Sequence, residues 1–377
     1  MRILSVCVSP PGDDAAWWRI SNIGRILSTH GHEVNYVHYC RKKAYGKLPE
    51  RKSDGYNHVY EQVSGIDSLI RHLKRMLNGG YDIVYANTLD SAFISTVGKL
   101  TDVPLVFDMH GAVVEEVIFL NHGFGLSYGF LRRLATTKVM DFVSLMLADK
   151  IVCVSKRMVG YLEGKGIPSS RLAHITNGVD LDFFTHRNDS RIRQLRAELG
   201  FGDKLVFGYV GGDDKWQGVE SLVKAAHAVK DRNIGFLIVG GAQAPADDNI
   251  RVIPRVSRSQ TRDYYDACDV LVLPRPKHLV TEVAAPTKFA EYVAMGKPIL
   301  TTPVGDAAEL TKQFRCGIVV RKDDAESIAQ GLCDFSDLKS EELEDMGRNS
   351  RRLAEAVFDW NKIGAGLEQV IEDAYHA

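Results

Sequence analysis

The sequence predicts an α/β protein made of two Rossmann-like domains, and three observations carry that expectation. Short apolar runs alternate with longer amphipathic stretches along the chain, the pattern of parallel sheets covered by helices on both faces. The alternation falls into two sets, before and after Ile175-Thr176-Asn177-Gly178-Val179-Asp180, whose Asn-Gly step is a turn signal. A chain of 377 residues also exceeds what one ordinary core encloses.

Taken in order, the first set opens with a strand at Ile3–Val8, a loop at Ser9–Asp14, a helix near Trp17–His30 and a strand at Glu33–His38. A basic run follows, Arg41, Lys42, Lys43, Lys47, Arg51 and Lys52, read as a solvated loop. Strands at Asp82–Ala86, Leu105–Asp108 and Lys150–Ser155 complete the set. The second set runs through Leu205–Val210, Gly235–Val239, Arg251–Ile253, Val270–Leu273, Ile299–Thr301 and Gly317–Val320. The expected domains are therefore 1–178 and 179–360, with a hinge at the Asn-Gly turn. The closing helical stretch, from about Glu342 to His376, bends near Trp360 and returns its end, about 361–377, to the first domain.

Composition is that of a globular protein, 45% hydrophobic and 25% charged, with a net charge of -1 that gives no sign of a nucleic-acid binder. Residues 1–180 carry 21 Lys and Arg against 17 Asp and Glu, the remainder 26 against 31. Six cysteines, Cys7, Cys40, Cys153, Cys268, Cys316 and Cys333, show no C-x-x-C spacing and read as reduced core residues of a cytoplasmic protein. The N-terminal apolar run is too short for a signal peptide, and none approaches the roughly 20 residues that span a bilayer.

Chemistry concentrates in Pro286-Thr287-Lys288-Phe289-Ala290-Glu291-Tyr292, followed by Gly296 and Pro298. Pro286 suits a first helical position after the strand Val270–Leu273, and Gly296 with Pro298 stops the helix. The amides of Thr287 and Lys288 then point out of the sheet, where an anion is favoured, and the Lys288 ammonium adds charge for a phosphate. Glu291, one turn further in, accepts two hydrogen bonds from a ribose diol. A helix that merely starts with a lysine is the bland alternative.

This segment resembles the donor-binding helix of glycosyltransferases of the two-Rossmann-domain (GT-B) type, family 4 especially. Further segments match that family in order. Gly31-His32-Glu33-Val34 is similar to its GHEV, and Ala148-Asp149-Lys150-Ile151-Val152-Cys153-Val154-Ser155 resembles its AD-x-V-x-x-V-S strand. Asn177-Gly178-Val179-Asp180 with Phe183 or Phe184 resembles its NGVD-x-x-x-F, and Tyr264-Tyr265-Asp266-Ala267-Cys268-Asp269-Val270 its YY-x-A-x-D-V. The resemblance covers nearly the whole chain. It implies two domains facing across a cleft, with ligands outside the carboxyl ends of the strands. The implied reaction is the retaining, metal-independent transfer of a sugar from a nucleoside-diphosphate sugar to a glycan, lipid or small-molecule acceptor.

Carried over residue by residue, the resemblance places the diphosphate on Thr287 and Lys288, the ribose on Glu291 and the base near Arg255 and Val256. The loop Gly211-Gly212-Asp213-Asp214-Lys215-Trp216-Gln217-Gly218 is a phosphate loop by its paired glycines and Lys215. It departs from the family, which has Arg after the first glycine and Lys before the last, where this chain has Gly212 and Gln217. Lys215 stands in for one cation and the second is unaccounted for. The family's first glutamate falls on Val283, with Glu282 one position off and only a weak sugar contact. On the acceptor side, His110 after the strand Leu105–Asp108 sits where the family places a histidine near the donor sugar, and Glu115 and Glu116 are acceptor contacts. Gly12 is the expected close approach of backbone to the donor phosphates.

Asp180-Leu181-Asp182 spells a metal-binding D-x-D but lies in the hinge motif, and no His/Cys cluster suggests zinc. No cofactor is expected, and the absence of G-x-G-x-x-G after the first strand argues against a dehydrogenase. Two alternatives keep the same architecture, a non-catalytic nucleotide-sugar-binding protein and a sugar-nucleotide epimerase. Phe119–Leu147 mixes large apolar residues with Arg132, Arg133 and Lys138, a pattern for peripheral contact with an anionic membrane face.

Overall fold

Strands covered on both faces must be apolar throughout, and Val270–Leu273, reading Val-Leu-Val-Leu, is buried at every position. The computed structural model describes residues 1–8, 12, 15–40, 55–63, 65–121, 125, 127–185, 190–230, 232–240 and 249–376. These form two units, residues 1–176 with 360–377, and residues 177–359. Asn177 and Gly178, read from the sequence as the end of the first unit, open the second, and Trp360 belongs to the first.

The first unit contains β1 (Arg2–Cys7), β2 (Glu33–Cys40), β3 (Asn57–Gln62), β4 (Ile83–Asn87), β5 (Leu105–Met109), β6 (Lys150–Cys153) and β7 (Leu172–His174). They lie in the order β3-β2-β1-β4-β5-β6-β7, all pairings parallel, with Ile3 beside both Val34 and Ile83. The order reverses between β1 and β4, the switch point of a doubly wound sheet. Two strands were not foreseen, β3 and β7. Each lies on an edge and is at most half-buried, so neither required an apolar run.

The second unit contains β8 (Leu205–Val210), β9 (Ile234–Val239), β10 (Ile250–Ile253), β11 (Val270–Leu273), β12 (Ile299–Thr301) and β13 (Gly317–Val319). Their order is β10-β9-β8-β11-β12-β13, again wholly parallel, with the switch point between β8 and β11. Its core joins Val210, Leu271 and Leu273 to Phe289, Tyr292 and Phe358. The helix Thr287–Ala294 is thereby clamped to the centre of the sheet.

The closing stretch is two helices, Ser340–Leu353 and Trp360–Tyr375, separated by a π-helical turn at Ala354–Phe358 and an extended Asp359. The Val179 amide donates to the Phe358 carbonyl at 2.8 Å, so both chain crossings leave the second unit at one place. Trp360, Ile363, Leu367, Val370, Ile371 and Ala374 recur at helical spacing and pack on Ile20, Ile23 and Leu27 in the first unit's core. His32 Nε2 and Glu368 Oε1, 2.8 Å apart, add a polar tie. The six cysteines are free, and burial pushes the thiols of Cys7, Cys153 and Cys268 up to about 12.

Candidate functional site

At the second unit's switch point, the loop leaving β8, the residues leaving β11 and the start of the helix Thr287–Ala294 come together. Pro286 precedes the helix and offers its first amides no side-chain acceptor, so the N–H groups of Thr287 and Lys288 keep their affinity for an anion. The Lys288 ammonium reaches back to β8, donating to Tyr209 Oη at 2.7 Å and Gln217 Oε1 at 2.9 Å, and sits 4.3 Å from the Tyr209 ring centre. Tyr209 in turn donates to the Gly212 carbonyl at 2.5 Å, which fixes the paired-glycine turn.

Two glycines make this approach possible. A Cβ on Gly211 would lie 2.3 Å from Lys288 Nζ, and one on Gly218, whose φ is +73°, would lie 1.8 Å from the Pro274 carbonyl oxygen. The half-buried Lys288 is pulled by its surroundings from the ordinary 10.5 to about 7. Burial is the main cause and the like charge of Arg275 the next, while Glu291 and Asp214 oppose them.

Lys215 is exposed, in the short 3-10 turn Lys215–Gln217. Gln217, a departure from the family pattern, is the neutral partner of Lys288. Sequence reading passed over Arg275. It follows Pro274 at the end of β11, is 7% exposed, and points its Nε at the Trp216 carbonyl 3.4 Å away. An arginine between two prolines at the carboxyl end of an apolar switch-point strand was the available signal.

Glu291 is 6% exposed and held from two sides: Tyr265 donates to Oε2 at 2.6 Å, and the Arg258 guanidinium lies 2.7 Å from Oε1. Arg258 was also unforeseen, and a pairing with Glu291 across the intervening strand β11 leaves no local mark in the sequence. Arg255 is exposed, whereas Val256 packs against the core. Glu282 closes the short helix Leu279–Glu282, and its Oε2 accepts from the Gly305 amide at 3.0 Å. Its carboxylate thus caps the helix Gly305–Phe314, which follows β12.

In the first unit, β5 delivers Asp108 and then His110. Asp108 is fully buried, paired with Arg19 at 2.9 Å and 3.2 Å from His110 Nε2. The carboxylate therefore fixes the imidazole ring. Glu116, on the helix Val113–Leu120, folds its carboxylate over Gly111, where a Cβ would lie 2.3 Å from Oε1. Glu115 turns elsewhere and accepts from Tyr161 Oη at 3.2 Å. Gly12 is half-buried coil. The basic run at 41–52 lies outside the described residues.

Asp180 Oδ1 accepts from the amides of Asp182 (3.1 Å) and Phe183 (2.9 Å), so the first acid of the D-x-D closes a turn. Among the described residues no three His, Cys, Asp or Glu side chains gather as a metal site, and no helix is long and apolar enough to cross a membrane.

Comparison with known proteins bears on the family and the fold. Residues 16–183 match the family described as Glycosyltransferase Family 4, and residues 204–337 the one described as Glycosyl transferases group 1. The D-inositol 3-phosphate glycosyltransferase of Pseudarthrobacter chlorophenolicus is 23% identical over 349 residues, 88% of this chain and 78% of that protein. The Anabaena protein HepE in complex with UDP superposes with a TM-score of 0.76 at 16% identity, covering 99% of this chain and all 100% of that one. WaaG, a glycosyltransferase involved in lipopolysaccharide biosynthesis, gives a TM-score of 0.70 at 14% identity, covering 97% of this chain and 99% of that one.

Proposed function

The chain belongs to the GT-B glycosyltransferases, with a family 4 domain and a group 1 domain, and from that premise we propose that it moves a sugar from a nucleoside-diphosphate sugar to a glycan or lipid-linked acceptor. The observation that carries the donor assignment is Lys288, drawn back onto Tyr209 and Gln217 beside the open amides of its own helix. Burial and Arg275 disfavour its charge in the free protein, and a diphosphate beside it favours the charged form. HepE, solved in complex with UDP and with UDP-glucose, supports a nucleotide-sugar donor.

In this reading Glu291, oriented by Tyr265 and Arg258, accepts from the ribose hydroxyls, and Val256 lies against the base. The bond between the anomeric carbon and the diphosphate oxygen breaks while the acceptor hydroxyl oxygen bonds to that carbon. Charge developing on the departing phosphate is met by Lys288 and the helix amides. Family membership implies retention, by attack on the same face, with the acceptor proton passing to the departing phosphate oxygen. His110, held by Asp108, hydrogen-bonds a sugar hydroxyl. The helix Tyr128–Leu147 supports an acceptor at a membrane surface. Tyr128, Leu131, Val139, Phe142 and Met146 form one exposed stripe along it, beside exposed Arg132, Arg133 and Lys138.

The test is donor binding by calorimetry against UDP, GDP and ADP sugars. Lys288→Ala and Glu291→Ala should each weaken the sugar nucleotide that binds by about 1.5–3 kcal/mol with the fold intact. Unchanged affinity in both variants would overturn the site. Transfer or hydrolysis of the donor excludes a binding protein without activity. A donor that returns epimerised in the absence of acceptor would identify an epimerase.

A further inference from the structure

We propose that the helix Ile66–Gly79 is a contact between two copies of this chain, which meet antiparallel about a two-fold axis along a seam of Ile66, Ile70, Leu73 and Leu77. No residue of the donor site lies on this helix.

The helix lies between β3 and β4 and buries Ser68, His72 and Met76 against the first unit. The apolar residues at 66, 70, 73 and 77 fall roughly a third of the way round it, away from that face. Ile66 is 72% exposed, Leu77 62% and Ile70 47%, with Leu73 half-buried beside them. Spacings of four, three and four residues are the alternation of a coiled-coil seam. The helix is also tied to the sheet on its inner side. His72 Nδ1 lies 2.9 Å from Tyr39 Oη on β2, and Arg71 and Arg75 both pair with Glu61 on β3.

Charge selects the occupant. Asp67 and Lys74 flank the seam one heptad apart, both are exposed, and neither takes part in an ion pair among the described residues. In an antiparallel pair centred between Arg71 and His72, Ile66 meets the second copy's Leu77, Ile70 its Leu73 and Asp67 its Lys74. One patch thus serves both copies, as an isologous two-fold contact requires. A parallel pair would set Lys74 against Leu69 and leave Asp67 without a cation. An anionic lipid face suits this helix less well, because Glu61 engages Arg71 and Arg75, and Asp67 cancels the charge of Lys74 beside the seam.

The experiment is sedimentation velocity of the full chain from about 1 to 100 µM, with circular dichroism to show that each variant is folded. Wild type should pass from monomer to dimer across that range. Ile66→Ser with Leu77→Ser alters only exposed side chains and should leave a monomer. Lys74→Asp sets like charges opposite each other twice in the dimer and should weaken association about tenfold. Adding Asp67→Lys to Lys74→Asp reverses both charges and should restore the wild-type constant. Phe142→Ser with Met146→Ser, on the other exposed stripe, should leave this dimer intact. A wild type that is monomeric throughout, or a dimer that survives Ile66→Ser with Leu77→Ser, overturns the proposal. So does a Lys74→Asp variant that associates like wild type, a double charge reversal that fails to restore association, or a dimer lost in Phe142→Ser with Met146→Ser. A monomeric wild type whose recovery on anionic vesicles falls with Ile66→Ser and Leu77→Ser would assign the seam to lipid instead.

Discussion

Arg19 and Asp108 meet as a two-point ion pair inside the first unit, Nε to Oδ2 and Nη2 to Oδ1 each at 2.9 Å, while the same guanidinium also donates to the carbonyls of Ile175 and Thr176. Neither side chain is more than 2% exposed. One arginine therefore joins the carboxylate that orients His110 to the last residues before the second unit begins. Removing one partner strands a buried charge, so Arg19→Met should destabilise the first unit by about 3–5 kcal/mol, read by chemical denaturation.

Acid should expose the same pair. Burial alone would raise the Asp108 carboxyl, but Arg19 and then His110 overcome it and hold it well below the usual carboxylate range. A depressed carboxylate stabilises the fold above its unfolded value of about 3.9, and that contribution disappears as pH falls through the folded value. Wild type should thus lose stability steeply below about pH 4, and Arg19→Met less steeply from its lower start. Parallel curves would mean that the pair has no such linkage.

Nucleotide binding should take up a proton at mildly alkaline pH. With Lys288 titrating near 7, most of it is neutral at about pH 8, and a bound diphosphate favours the charged form. Calorimetry in buffers of different ionisation enthalpy should show uptake approaching one proton in wild type and none in Lys288→Met. In the free protein the slope has the same sign as for Asp108, since both groups bind fewer protons folded than unfolded. The unfolded chain keeps the Lys288 proton up to about 10.4, so this residue adds stability as pH rises from about 7.

Transfer should survive EDTA, because Lys288 and the helix amides meet the charge of the leaving diphosphate. Complete inactivation, restored by magnesium or manganese, would return Asp180 and Asp182 to consideration as metal ligands. It would require the Asp180 turn to open.

Vesicles containing anionic lipid should retain the protein at low salt and release it at high salt, since each basic residue near the surface contributes about 1 kcal/mol. Phe142→Ser with Met146→Ser should reduce retention, because both side chains stand exposed on the apolar stripe. If the stripe instead pairs with a second copy, the double variant will change sedimentation velocity and leave vesicle recovery untouched.

Strands such as Leu205–Val210, which the structure reproduces residue for residue, were legible because burial on both faces demands a continuous apolar run. The edge strand Asn57–Gln62 was not, since one partner strand and a half-wet face ask for no such pattern. In the site, Lys288 announced itself through Pro286 and the preceding strand. Its partners Tyr209 and Gln217, and the neighbouring Arg275, come from two other strand ends. Only the sheet order puts those ends together, and single-sequence patterns do not give sheet order. Glu282 shows the converse: a carboxylate near the right spacing is taken by the Gly305 amide, a competitor visible only once the backbone has turned.

The helix Trp360–Tyr375 belongs to the core of a unit whose other residues are the first 176. During synthesis, then, the first unit leaves the ribosome with Ile20, Ile23 and Leu27 lacking a cover, and waits while the whole second unit is made. A stretch translated after the second unit closes the first. A nonsense mutation just before Trp360 would leave every strand of both sheets in place and still expose the apolar flank of the N-terminal half. The damage from losing the tail would appear at the opposite end of the sequence, as aggregation of the half-finished unit rather than as a clean loss of donor binding.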